Sequence, residues 1–247
     1  MKKIYIANWK MNLLKKDVID FLKKIKKRKY QSADLVLAPS FPYLNQVSDG
    51  LKNSAIKLAA QNVATQEKGA FTGEVSIKML KDFGVRYVII GHSERRQIFS
   101  ETDSMINQKV KRVLETGMIP ILCIGETQEE KNSGQRETVL VQQLRNSLSR
   151  VENLANKKVI IAYEPVWAIG TGNVVTESEL DEAYRAIKRA ISSLAGSNFF
   201  EEKVMFVYGG SVDEKNICDL KKIPYLQGFL VGGASLNVDR FLSLVNA

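Results

Sequence analysis

Cysteine, histidine and proline are all scarce in this 247-residue chain, which has two cysteines, one histidine and five prolines. A single histidine and two distant cysteines, Cys123 and Cys218, offer none of the ligand spacings that structural metal sites use. Two cysteines do not make a disulfide framework either, so both are expected to be reduced core thiols in a cytosolic setting. With 16 glycines and so few prolines, collagen-like and low-complexity chains are excluded. No apolar run approaches the roughly 20 residues that cross a bilayer, so no membrane span is expected. Met1-Lys2-Lys3 has the charge of a signal n-region, but the apolar stretch behind it ends at Ala7, and no secretory signal is expected.

The chain does have 45% hydrophobic and 26% charged residues, the balance of a globular protein with a substantial core. Lys and Arg outnumber Asp and Glu by 36 to 27, giving a formal charge of +9. Part of the excess is local, in Lys15, Lys16, Lys23, Lys24, Lys26, Lys27, Arg28 and Lys29. This run is either a patch for an anionic polymer or lipid, or the solvated face of a helix whose apolar side is Leu14, Val18, Phe21, Leu22 and Ile25. It lacks the interleaved aromatics on which single-stranded nucleic acids stack, so no nucleic-acid or membrane partner is expected.

Short apolar runs rich in Ile and Val occur at residues 4–7, 35–38, 56–60, 87–90, 119–124, 159–163, 204–208 and 229–231 and read as strands. Between them lie amphipathic patterns such as 76–83, 103–115, 137–154, 177–194 and 238–245, which read as helices. Near-continuous apolar strands are buried on both faces, as in a parallel sheet covered by helices. Eight strand-helix units within about 250 residues favour a closed (β/α)8 barrel, eight parallel strands ringed by helices, over an open sheet. No linker-like segment divides the chain, and residues 1–247 are expected to form one barrel domain.

In such a barrel the segments following the strands gather at one end and carry the reactive groups. The first strand runs into Asn8-Trp9-Lys10, the fourth into Gly91-His92-Ser93-Glu94-Arg95 and the sixth into Tyr163-Glu164-Pro165. An amide, a cation, an imidazole and a carboxylate thereby converge. Glu164 follows five apolar or aromatic residues, and a carboxylate desolvated there suits a general base. Gly209-Gly210-Ser211 and Gly232-Gly233-Ala234-Ser235 follow the last two strands and expose backbone N–H groups, as a phosphate cradle needs. Residues 165–175 are small and apolar, with Gly170 and Gly172 at a compact tip between stiffer Val166-Trp167 and Val174-Val175, a pattern that reads as a lid.

These segments, Asn8-Trp9-Lys10-Met11-Asn12, Gly91-His92-Ser93-Glu94-Arg95-Arg96, the run from Ala162-Tyr163-Glu164-Pro165 through Val166-Trp167-Ala168-Ile169-Gly170-Thr171-Gly172, Tyr208-Gly209-Gly210-Ser211 and Gly228 through Leu236, together resemble the signatures of the triosephosphate isomerase family. The resemblance runs the length of the chain in the family's order. It implies a TIM barrel that interconverts dihydroxyacetone phosphate and glyceraldehyde 3-phosphate in glycolysis and gluconeogenesis, without metal or organic cofactor. Glu164 would then be the base, neutral His92 and cationic Lys10 would stabilise the enediolate with help from Asn8, and the pairing of ionised Glu with neutral His is carried over from the family. Gly170, Ser211, Gly232 and Gly233 would hold the phosphate, Ser93 would hold Glu164 while the lid is open, and Glu94 would order the network around Lys10. The family also implies a homodimer through the loop around Phe71-Thr72, in the stretch 68–74, and a cytoplasmic location.

Two positions depart from the family pattern. Asn173-Val174-Val175 stands where smaller residues are common, and an Arg-acid pair is replaced at Lys188 and Tyr225-Leu226-Gln227. On the residues alone, two rivals stay open: a phosphate-binding aldolase barrel, which wants a lysine buried within a strand, and a basic scaffold using the face from Lys15 to Lys29.

Overall fold

The computed structural model describes residues 2–28, 30, 33–170 and 172–247, so Lys29 and Thr171 of the motifs above lie outside the described residues. The strands are β1 (Lys3–Asn8), β2 (Ala33–Ala38), β3 (Lys57–Ala60), β4 (Tyr87–Ile90), β5 (Ile119–Ile124), β6 (Val159–Tyr163), β7 (Val204–Tyr208) and β8 (Gly228–Val231). They close in chain order into a barrel of parallel strands, with Ile4 opposite Gly228 and Ala7 opposite Val231 where β1 meets β8. At that seam a Cβ on Gly228 would lie 2.1 Å from the Ile4 carbonyl oxygen, so the strands can approach only because residue 228 has no side chain.

The helices are α1 (Lys15–Lys27), α2 (Leu44–Leu51), α3 (Ile77–Asp82), α4 (Ser93–Gln97), α5 (Asp103–Glu115), α6 (Gln128–Asn132), α7 (Arg136–Leu148), α8 (Glu177–Ala195), α9 (Ser197–Lys203), α10 (Ile217–Lys222) and α11 (Val238–Asn246). Period-two alternation on the strands separates two apolar layers. Ile4, Ile6, Ile89, Ile160 and Leu230 belong to the cluster inside the barrel. Tyr5, Ala7, Ile161 and Phe229 belong to the larger cluster between barrel and helices. Among the described residues, no helix is long and apolar enough to cross a membrane.

Three expectations need correction. The helix expected over 137–154 stops at Leu148, because Arg150 and Asn153 take left-handed backbone angles (φ 52° for each) that break the i to i+4 ladder before a short 3₁₀ turn at Leu154–Asn156. Cys123 is a buried thiol on β5, but Cys218 is exposed. On α10 the neighbouring Ile217 and Leu220 take the inward positions and turn Cys218 outward. Val18, Phe21, Leu22 and Ile25 do form the buried side of α1, whereas Leu14 sits at its N-cap and is 68% exposed.

Candidate active site

A cavity of about 310 Å³ opens at the C-terminal ends of the strands. Asn8, Lys10, His92 and Glu164 line it, together with Gly170, Ser211, Gly232 and Gly233. Ser93 and Glu94 stand behind this lining and reach it through hydrogen bonds.

Lys10 follows β1 with φ 51°, a left-handed angle that a non-glycine residue takes only when its surroundings impose it. Its N–H donates to the Asn8 Oδ1 at 3.2 Å, while its carbonyl accepts from Ser40 Oγ at 2.6 Å and Gln61 Nε2 at 3.0 Å. So fixed, the side chain extends to pair its Nζ with Glu94 Oε1 at 2.5 Å. Glu94 occupies the position expected of it, in contact with the ammonium.

His92 is the N-cap of α4 and is buried. The backbone N–H of Glu94 donates to its Nδ1 at 3.2 Å. An acceptor at Nδ1 is the arrangement that a proton on Nε2 alone would require. That Nε2 lies 3.4 Å from Glu164 Oε1.

Glu164 leaves β6 almost wholly buried. Its Oε2 accepts the backbone N–H of Ser93 at 3.2 Å, so Ser93 contacts the carboxylate through its main chain. Its Oε1 has no hydrogen-bond partner, which leaves one acceptor oxygen available at the cavity wall. A Cβ on Gly209 would lie 2.7 Å from Glu164 Cγ, so this glycine sets the room the carboxylate has. Beside it the buried Cys123 thiol is pushed well up from its usual value, by burial first and then by the Glu164 charge. It stays protonated and adds no second anion.

The segment expected to be a lid begins with a 3₁₀ turn at Val166–Ala168, anchored by Val166 N–H on the Glu126 carbonyl at 2.9 Å and the Trp167 indole on Glu126 Oε1 at 2.9 Å. The Tyr163 hydroxyl also donates to both Glu126 oxygens at 3.1 Å, and burial followed by that carboxylate drives its acidity far down. Ser211 Oγ donates to the lid's Ala168 carbonyl at 2.5 Å, joining the β7 loop to the lid base. Ser235 closes the β8 loop by donating both its N–H, at 2.9 Å, and its hydroxyl, at 2.6 Å, to the Gly232 carbonyl.

Sequence reasoning missed several contributors. Gln61 and Ser40 brace Lys10, Glu126 anchors the lid, and Arg240 lines the cavity while paired with Glu214 at 2.9 and 3.2 Å. Glu126 sits two residues beyond β5, where a barrel's functional residues belong, and could have been found on that ground. Arg240 is brought to the cavity only by the packing of α11. At the second departure from the family pattern, Lys188 pairs with Glu201. Tyr225 stacks on Tyr184 at 4.1 Å between ring centroids.

The family model of triosephosphate isomerase matches residues 3–247. The chain is 43% identical to the triosephosphate isomerase of Fusobacterium nucleatum over 250 residues, covering 100% of this chain and 99% of the relative. It is 42% identical to that of Lawsonia intracellularis, with 100% and 98% covered, and 42% identical to that of Thermus thermophilus, with 99% and 98% covered.

Proposed function

The chain belongs to the triosephosphate isomerase family, and from that membership we propose how the residues of its cavity divide the work. It is an aldose–ketose isomerase of glycolysis that interconverts dihydroxyacetone phosphate and D-glyceraldehyde 3-phosphate. Glu164 removes a proton from the carbon beside the carbonyl, and the electron pair of that C–H bond moves toward the carbonyl oxygen to give an enediolate. The same carboxylate returns the proton to the neighbouring carbon while the hydroxyl proton passes from one enediolate oxygen to the other, which completes an isomerisation with no net oxidation and no need of an external acceptor. We carry forward the expectation of no cofactor on that chemistry.

His92 donates from Nε2 to the oxygen that gains charge, with Lys10 and the Asn8 amide beside it. Donors already oriented stabilise the enediolate without reorganising as the charge develops. Gly170, Ser211, Gly232 and Gly233 hold the phosphate, Ser93 keeps Glu164 parked between turnovers, and Glu94 holds the Lys10 ammonium. Closure of the lid over this set excludes water and protects the enediolate.

The observation that carries this reading is the unpartnered Glu164 Oε1, facing His92 Nε2 at 3.4 Å in the wall of a cavity that the phosphate loops also line. Isomerisation in deuterated water, with and without a chelator, tests it. The parent should incorporate solvent deuterium and ignore the chelator, while a folded Glu164→Gln variant should lose roughly 10³-fold in kcat. A folded variant that keeps the parent's rate would overturn the assignment.

The protein works as one barrel domain over 1–247, in the cytoplasm, and as a homodimer through the loop around Phe71-Thr72. Exposed apolar groups near the cavity end support the dimer. Met11 is 94%, Ile98 70% and Phe71 45% exposed, an apolar cost that a partner surface would remove. Sedimentation at micromolar concentration should give twice the chain mass.

A further inference from the structure

The lid's two ends are each tied to a carboxylate. At the leading end the wholly buried Glu126 accepts the Trp167 indole N–H on its carboxylate and the Val166 N–H on its backbone carbonyl. At the trailing end Thr176 is the N-cap of α8, and Glu179 Oε2 accepts its N–H and its hydroxyl, each at 2.9 Å. Glu179 and Glu126 belong to different strand-helix units, and neither touches the substrate cavity.

Two cations join them. Arg136, at the start of α7, places Nε 3.1 Å from Glu126 Oε1 and Nη2 3.2 Å from Glu179 Oε1, with Nη1 on Glu182 Oε2 at 2.7 Å. Lys131 Nζ lies 2.6 Å from the same Glu179 Oε1 and 3.4 Å from the centre of the Trp167 ring. Arg136 therefore contacts the carboxylates that hold the two ends, and Lys131 contacts the Trp167 ring at one end and the carboxylate that holds the other.

We propose that Arg136, assisted by Lys131, is a positioning residue that couples the two lid hinges so that they turn together. A guanidinium has fixed, diverging donors and can span two carboxylates, whereas an ammonium is a single point of charge. Turning the leading hinge alone would draw Trp167 from Glu126 and leave a buried charge short of a donor, a costly state. Turning the trailing hinge alone would disturb Glu179 and pull on the same guanidinium. The arrangement penalises half-closed lids and leaves open and closed as the favoured states.

This rests on the lid reading above, and its consequence is chemical. In a half-closed site the enediolate can break its C–O bond to phosphate. The bonding pair leaves with inorganic phosphate, and an enediolate oxygen pair refills the carbon skeleton to give the enol of a three-carbon dicarbonyl. Phosphate released per isomerisation thus reports lid fidelity, a quantity that a purely structural role would not move.

The test measures that ratio, kcat, KM and thermal stability in Arg136→Gln, Arg136→Lys, Lys131→Gln and Gly170→Val, the last perturbing the lid tip. Folded Arg136 variants should release at least about fivefold more phosphate per turnover and lose about fivefold in kcat, with KM changed less than about twofold. Lysine at 136 should not rescue, because one ammonium reaches one carboxylate. Lys131→Gln should shift the ratio in the same direction by about twofold and carries the test if the Arg136 variants do not fold. If Gly170→Val raises phosphate release and the Arg136 and Lys131 variants do not, the coupling is wrong. If Gly170→Val has no effect either, the lid reading itself fails and the coupling falls with it.

Discussion

The two ends of the barrel are built around different groups. At the end where β1, β4 and β6 finish, Lys10 is held at an unfavourable backbone angle and Glu164 is buried with one oxygen unpartnered. At the end where β1, β7 and β8 begin, Tyr184 stacks on Tyr225 and meets Phe206 edge-on at 5.3 Å, and Phe206 and Gln227 exchange hydrogen bonds of 2.8 and 2.9 Å. The departure from the family at Lys188 and Tyr225 falls in this second region. There Lys188 pairs with Glu201 and Tyr225 stacks on Tyr184, and none of these residues lines the cavity. At the cavity end the unpartnered Glu164 oxygen faces a space that a ligand can fill; at the other end the rings pack on one another although the Tyr225 hydroxyl is also without a partner.

Substitutions can break that contrast. After Glu164→Gln, the largest effect is expected from Gly209→Ala, whose methyl would meet Glu164 Cγ at 2.7 Å. Steady-state kinetics should show kcat reduced about 10- to 100-fold, with thermal stability little changed. At the opposite end, Tyr225→Ala removes the stacked ring and should cost about 2 kcal/mol in urea unfolding while leaving kcat at the parent's value. A loss of activity without loss of stability in Tyr225→Ala would dissolve the distinction between the ends.

A smaller effect probes the cavity rim. Arg240→Ala leaves Glu214 uncompensated near the phosphate loops and should raise KM about threefold at low ionic strength, the difference fading as salt screens it. The smallest is an acid effect at the lid clamp. Burial opposes ionisation of Glu179, but hydrogen bonds from Lys131 and Thr176 outweigh it and hold its carboxyl down at about 2. A carboxyl depressed in the folded state stabilises the fold above its unfolded value, and that contribution drains as pH falls from about 4.5 to about 2. Lys131→Gln should therefore begin acid unfolding a few tenths of a pH unit above the parent, as followed by circular dichroism.

Much of this was legible in the residues because a parallel barrel writes itself as repeated apolar runs. The boundaries of β4 to β7 follow directly from such runs, and the strand ends point to Lys10, His92 and Glu164. What stayed illegible depends on packing between distant segments. The overrun of α7 came from an apolar pattern continuing through Val151 and Leu154 although the backbone at Arg150 and Asn153 had already turned. Cys218 was misplaced because α10 is too short for its pattern to reveal a face. Gln61 and Ser40 are ordinary loop residues until the barrel brings them to the Lys10 carbonyl.

The central claim is that main-chain N–H groups at the start of α4 orient the reactive pair, Ser93 holding Glu164 and Glu94 fixing the His92 tautomer. Because His92 is the only histidine, ¹⁵N-histidine labelling gives one side chain and no ambiguity of assignment. At pH 8 the account predicts an unprotonated Nδ1 and a protonated Nε2. A proton on Nδ1, or on both nitrogens, would contradict it.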